Sequence, residues 1–80
     1  MDINFKHWLL DYKGYSPRVV SNIGSRLKRA AAMTDSEAIK SSTSFMASVA
    51  RSSSWEQIPK SSKSGMLRSV HLYEEFLSHR

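Results

Sequence analysis

The sequence predicts an all-α fold, a compact bundle of four or five short helices. Three observations carry this. Apolar residues recur at helical spacing in four separate stretches. No stretch alternates apolar and polar residues for long. Val19-Val20 is the only β-branched pair.

The first segment spans about residues 3 to 12. Phe5, Trp8, Leu9 and Tyr12 fall at i, i+3, i+4 and i+7, one helical face, and Lys13-Gly14 stops it. The second runs from about 17 to 32. Ser16 is a natural N-cap, and Pro17 suits the first helical position, where its missing N–H is not needed. Val19, Val20, Ile23, Leu27, Ala30 and Ala31 share its apolar side. Gly24 costs roughly 1 kcal/mol of helix stability against alanine; at the edge of the apolar face it permits close approach of another helix. The third segment begins near residue 35, where Thr34 and Glu37 have capping-box spacing and Ile39, Ser42, Met46 and Val49 share a face. Residues 41 to 54 are rich in serine, a mediocre helix former, so this helix is expected to be short, broken or frayed. Ser52-Ser53-Ser54 reads as a loop from which Trp55 and Ile58 fold back onto the core. The fourth segment runs from about 61 to 79, after Pro59. Met66, Val70, Tyr73 and Leu77 form its stripe, widened by Leu67 and Phe76. Trp8, Ile23, Leu27, Val70, Tyr73 and Leu77 are expected to be buried together. The aromatics Phe5, Trp8, Tyr12, Tyr73 and Phe76 read as core rather than as base-stacking platforms.

Eighty residues allow one domain, 1–80. So short a chain buries only ~60% of the surface its unfolded form exposes, so modest stability is expected. The absence of cysteine removes disulfides and thiolate zinc sites, and suits a cytoplasmic protein. No apolar run is long enough to suggest a membrane span or a signal peptide. The chemistry of an enzyme is missing. His7, His71 and His79 are far apart, there is no glycine-rich phosphate loop, and sixteen serines do not make a nucleophile. Glu74 and Glu75 are adjacent on a helix and point in different directions, a poor catalytic pair. His71 and Glu75, at i and i+4, read as a surface pair. The reading is therefore no enzyme, no cofactor and no metal.

The formal charge of +5 favours an anionic partner or mere solubility. Its distribution is more informative. Arg18, Arg26, Lys28 and Arg29 lie on the second segment, and no acidic residue occurs between Asp11 and Asp35. On a helical wheel Arg18, Asn22, Ser25 and Arg29 lie together opposite the apolar side, flanked by Arg26 and Lys28. Like charges on one helix repel. Phosphate oxygens would offset that cost, each contact releasing counterions. Arginine and asparagine are also the usual side chains for guanine and adenine edges in the major groove. Ser16 and the free N–H groups of the first turn suit a phosphate. The fourth segment adds Lys60, Lys63 and Arg68 in its N-terminal half, against Glu74 and Glu75 in its C-terminal half. The residues expected to contact double-stranded DNA are Arg18, Asn22, Ser25, Arg26, Lys28, Arg29, Lys63 and Arg68. A basic helix face is also what a solvated surface presents, so a protein-interaction module remains the alternative. A third reading is a helix-turn-helix, with Lys13-Gly14-Tyr15 as the turn before a recognition helix starting at Pro17.

The order of parts resembles a known family. "FKHWLLDYKGYSPRVVSNIGSRLKRAAAM" is similar to the opening of tyrosine recombinases, the phage integrases. Their N-terminal core-binding domain is a SAM-like helical bundle. The matching parts are Phe5, Trp8 and Leu9, then Gly14, Tyr15 and Ser16, then Val20, Ile23 and Leu27. The end, "SGMLRSVHLYEEFLSHR", resembles the family's last helix through Leu67, Arg68, Tyr73, Phe76 and Leu77. The resemblance implies a DNA-binding module of DNA recombination, using the second helix and the start of the fourth as a clamp. Two places depart from it: the position after Ser16-Pro17-Arg18-Val19 is often threonine in the family, whereas Val19 and Val20 are both valine here, and Ile23 stands where tyrosine is common. The family's catalytic domain is absent from the sequence, so the expectation is either an excised domain, with a catalytic domain downstream, or a small protein that keeps only the binding fold.

Overall fold

A computed structural model describes residues 3–35 and 37–79. Five α-helices follow one another: α1 (Ile3–Asp11), α2 (Pro17–Met33), α3 (Ser42–Val49), α4 (Ser53–Glu56) and α5 (Lys60–Ser78). Among the described residues a 3-10 turn, Ala38–Lys40, lies between α2 and α3. No strand occurs among the described residues, and the fold is the all-α bundle that the periodicity predicts.

The helix boundaries follow from side chains that replace missing backbone partners. After α1, Gly14 adopts φ +69°, and the Tyr15 N–H reaches back to the Leu9 carbonyl at 3.1 Å. That left-handed turn suits glycine, which has no Cβ to clash. The Ser16 hydroxyl accepts from the Val19 N–H at 3.3 Å and Pro17 opens α2, both as expected.

The third segment departs from expectation. Thr34 closes α2, donating its hydroxyl to the Ala30 carbonyl at 3.1 Å, and does not open a new helix. The cap belongs to Asp35, whose Oδ1 accepts from the Glu37 and Ala38 N–H groups at 2.9 Å each. Glu37 turns to Lys40 at 3.0 Å instead of completing a capping box. Only a 3-10 turn results. Ser41 then restarts the chain as the N-cap of α3, accepting from the Ser44 N–H at 3.3 Å. Ile39 and Val49 therefore sit on separate elements rather than one continuous face. Met46 is 41% exposed, and Phe45 takes the buried place. Ser53 and Ser54 are also not loop; they begin the single turn α4, which brings Trp55 edge-on to Phe45 at 5.6 Å. Trp55 is buried and Ile58 half-buried, so both do fold back onto the core.

α2 and α5 form the central pair, and α1 packs on both. α3 and the 3-10 turn cover another side of α5. The core is Phe5 and Leu9 of α1, Val20, Ile23, Leu27 and Ala30 of α2, Phe45 and Val49 of α3, and Met66, Val70, Leu72 and Phe76 of α5, with Ile39 and Trp55 between. Of the six residues expected at its centre, Ile23, Leu27 and Val70 are there, while Trp8, Tyr73 and Leu77 pack against its rim. The buried arc of α5 is rotated from the expected stripe, so Leu72 and Ser69 are buried while Tyr73 and Leu77 are only partly covered. The buried Ser69 hydroxyl donates to the Gly65 carbonyl at 3.1 Å, so it is not stranded. Tyr12, read as core, is 63% exposed, and Val19 is 42% exposed. Tyr12 lies just past the end of α1 and stacks on Trp8 at 5.5 Å along the rim.

The two adjacent glutamates part as predicted. The Glu74 carboxylate accepts from the Ser42 hydroxyl at 3.0 Å and the Ser42 N–H at 3.3 Å, tying α3 to α5. Glu75 pairs with Lys13 at 2.6 Å, tying the turn after α1 to α5. His71 thus stands 4.0 Å from Glu74 rather than beside Glu75, because Glu75 has turned to Lys13. That carboxylate, by hydrogen bond and by charge, holds the Lys13 ammonium above its ordinary pKa. Among the described residues no helix is long and apolar enough to cross a membrane.

Candidate nucleic-acid interface

The bundle buries one side of α2 and leaves the other open. Val20, Ile23, Gly24, Leu27 and Ala30 are covered, whereas Arg18, Asn22, Ser25, Arg26, Lys28 and Arg29 are all exposed. At about 100° per residue, Arg18, Asn22, Ser25 and Arg29 fall along one line on the outer surface. Arg26 and Lys28 flank it on opposite sides. Among the described residues the ion pairs are Lys13–Glu75, Lys40–Glu37 and His71–Glu74; no cation of α2 takes part in one.

The flanking residues meet different neighbours. On the α5 side, an open cleft of about 190 Å³ is lined by Arg26, Arg29, Ser61, Ser62 and Met66. The Arg26 side chain lies across Gly65: a Cβ built there would stand 3.0 Å from its Nε and 3.2 Å from its Cδ. Arg29 beside Ser61 and Ser62, with Arg26 beside Gly65, shows that α2 and α5 run antiparallel. Ser61, Gly65 and Arg68 are spaced i, i+4 and i+7, one face of α5. Arg68 is exposed and extends the same edge. The first turn of α5 follows Pro59 and has no side-chain cap.

On the α1 side, Lys28 lines a broader groove of about 430 Å³ with Ile3, Lys6, Pro17, Val20, Ser21, Gly24 and Ser25. Gly24 is buried on this side of α2.

Of the eight residues singled out from sequence, Arg18, Asn22, Ser25, Arg26 and Arg29 share the exposed side of α2, and Arg68 is exposed at helical spacing from Gly65 on α5. Lys28 borders that surface and turns toward the α1 groove. Lys63 lies elsewhere. Two residues from Gly65, it falls on the far side of α5, half-buried, with its ammonium 5.4 Å from the Trp55 ring. Sequence reasoning missed Ser61, Ser62 and Gly65. Their signal was a glycine inside an otherwise helical stretch, four residues after the first of a serine pair.

No family model matches the chain, and no curated protein or solved structure matches it.

Proposed function

We propose that the chain is a DNA-binding helical module that works in the cytoplasm, comparable to the core-binding domain of the tyrosine recombinases its sequence resembles. The outer face of α2 and the adjoining edge of α5 lie along duplex DNA. The observation that carries this is the open line Arg18, Asn22, Ser25 and Arg29, flanked by Arg26, with no carboxylate paired to any of its guanidinium groups among the described residues. Phosphates supply the missing counter-charge, and Asn22, mid-face, is the side chain suited to an adenine edge. In this reading the module grips DNA, and any strand chemistry belongs to a separate catalytic domain.

The test is fluorescence anisotropy with a labelled duplex from low to moderate salt. Each phosphate contact adds about 0.9 to the slope of log affinity against log salt. Arg18→Ala and Arg29→Ala each lower the slope by about one contact and leave the helical signal unchanged. Asn22→Ala changes sequence preference more than affinity, a base contact being worth ~1–3 kcal/mol of discrimination. Binding indifferent to salt, or to both arginine substitutions, refutes the reading. The α1–α2 groove favours a second reading, a protein partner. Ile3, 61% exposed, offers an apolar anchor there, with Lys6 and Lys28 at its edge. Salt-insensitive binding to a protein, abolished by Ile3→Asp, would support that reading instead.

A further inference from the structure

We propose that the cleft between α2 and α5 seats one backbone phosphate, and that Gly65 is the positioning residue that makes the seat. This deepens the DNA-binding reading and rests on it. Two guanidinium groups, Arg26 and Arg29, line one open cleft together with Ser61 and Ser62, and Met66 forms the rest of its wall. Its volume, about 190 Å³, accommodates a phosphate and its first waters. Neither arginine is paired with a carboxylate among the described residues. Guanidinium forks match phosphate oxygens in geometry as well as in charge, and serine hydroxyls complete the set of donors.

Gly65 explains how Arg26 comes to be there. Arg26 flanks the outer line of α2 rather than belonging to it, and its side chain crosses the α5 backbone at the one residue without a Cβ. An added methyl would meet Nε at 3.0 Å, Cδ at 3.2 Å and Cζ at 3.3 Å. These atoms are the far end of a flexible side chain, so alanine at 65 displaces Arg26 without forcing the helices apart. Alanine is also the better helix former. Gly65→Ala therefore leaves the fold as stable as before or more so, and shifts the Arg26 side chain from its place over the α5 backbone. A purely structural glycine predicts no such separation.

The experiment uses the 80-residue chain, ¹⁵N-labelled, titrated with inorganic phosphate, alongside duplex anisotropy at low salt. The expected result is saturable shifts at the Ser61, Ser62 and Gly65 amides. Arg26→Ala abolishes them and Gly65→Ala weakens them, while the thermal midpoint of Gly65→Ala stays level or rises. Duplex affinity falls about tenfold in Arg26→Ala, the loss of one charge-assisted hydrogen-bonded contact, and by a smaller factor in Gly65→Ala. If phosphate titrates the cleft and the duplex does not bind, the seat stands and the DNA reading falls. If the duplex depends on Arg18 and Arg29 but is indifferent to Arg26 and Gly65, and phosphate leaves the cleft amides unmoved, the DNA reading stands and the seat is overturned. A Gly65→Ala variant that loses stability and binding together also overturns the positioning role.

Discussion

Replacing Ser25 with glutamate should make this protein more stable and a worse DNA binder. Ser25 is exposed at the middle of the basic line on α2. A glutamate there stands three residues before Lys28 and four before Arg29, the favourable order for helical ion pairs. Each such pair stabilises by ~0.2–0.5 kcal/mol, and glutamate is a slightly better helix former than serine. The sum is about 0.5–1 kcal/mol, which in a domain this small raises the thermal midpoint by roughly 3–6 °C. On DNA the same carboxylate faces phosphates and occupies Arg29, so at least one contact is lost and repulsion is added. Affinity at low salt should fall about tenfold or more, and the salt slope by about one contact. Circular dichroism melts and anisotropy in one buffer measure both effects, with Ser25→Gln separating helix propensity from charge. A Ser25→Glu variant that binds duplex as tightly as the parent removes α2 from the interface. One that is less stable than Ser25→Gln shows that the α2 cations are already neutralised.

Three further outcomes follow from the packing. Phe5 is fully buried against Tyr73 and Phe76, so Phe5→Ala should cost about 3–5 kcal/mol in urea unfolding, whereas Tyr12→Ala, on the exposed rim, should cost below about 1 kcal/mol. Equal costs would contradict this placement of α1. Gly14→Ala should destabilise by about 1–2 kcal/mol in the same assay through backbone strain alone, since φ is +69° and nothing crowds the position; an unchanged midpoint would refute the left-handed turn. The raised Lys13 pKa means the charged lysine is favoured in the folded state. Its contribution is complete below the unfolded lysine pKa of ~10.4 and is lost as pH rises through the folded value. The difference in urea midpoint between the parent and Lys13→Gln should hold from neutrality to about pH 10 and close above it.

How much of this was legible in the sequence depended on which interactions are local. α2 could be read almost to its ends, because Ser16, Pro17 and the 3.6-residue apolar period all lie within the helix. α5 was legible through Pro59 and its own stripe. The third segment was not. Thr34 and Asp35 are both good caps, and sequence alone does not say that one closes a helix while the other opens a 3-10 turn. The break at Ser41 is held partly by Glu74 on Ser42, a contact 32 residues away that no local pattern contains. Tyr12 and Phe5 were indistinguishable as members of one stripe; only the position of α5 decides that Phe5 is covered. For the interface, the outer line of α2 was visible as charge at helical spacing. The cleft was not, since it exists only where α5 runs antiparallel to α2.

Tertiary structure also sharpens the cost of the basic helix. Four carboxylates hold the bundle together or pair locally: Asp35 caps the 3-10 turn, Glu37 meets Lys40, Glu74 anchors α3 and Glu75 anchors the turn after α1. None faces α2. Among the four α2 cations, the only i, i+3 or i, i+4 neighbours are Arg26 and Arg29, so helical like-charge repulsion, roughly 0.2–0.5 kcal/mol, falls on that pair. The glycine inside α5, which costs a further ~0.5–1 kcal/mol against alanine, lies under the same Arg26. Two unfavourable local choices thus meet at one cleft in a domain whose whole stability is on the order of 4–12 kcal/mol. Local rules broken together at one place are the mark of a site where something other than stability is being satisfied. Stability alone favours alanine at position 65 and a glutamate at 22 or 25, within reach of the arginines. The chain instead has Gly65, Asn22 and Ser25, and leaves two guanidinium groups beside an open cleft that an anion would complete.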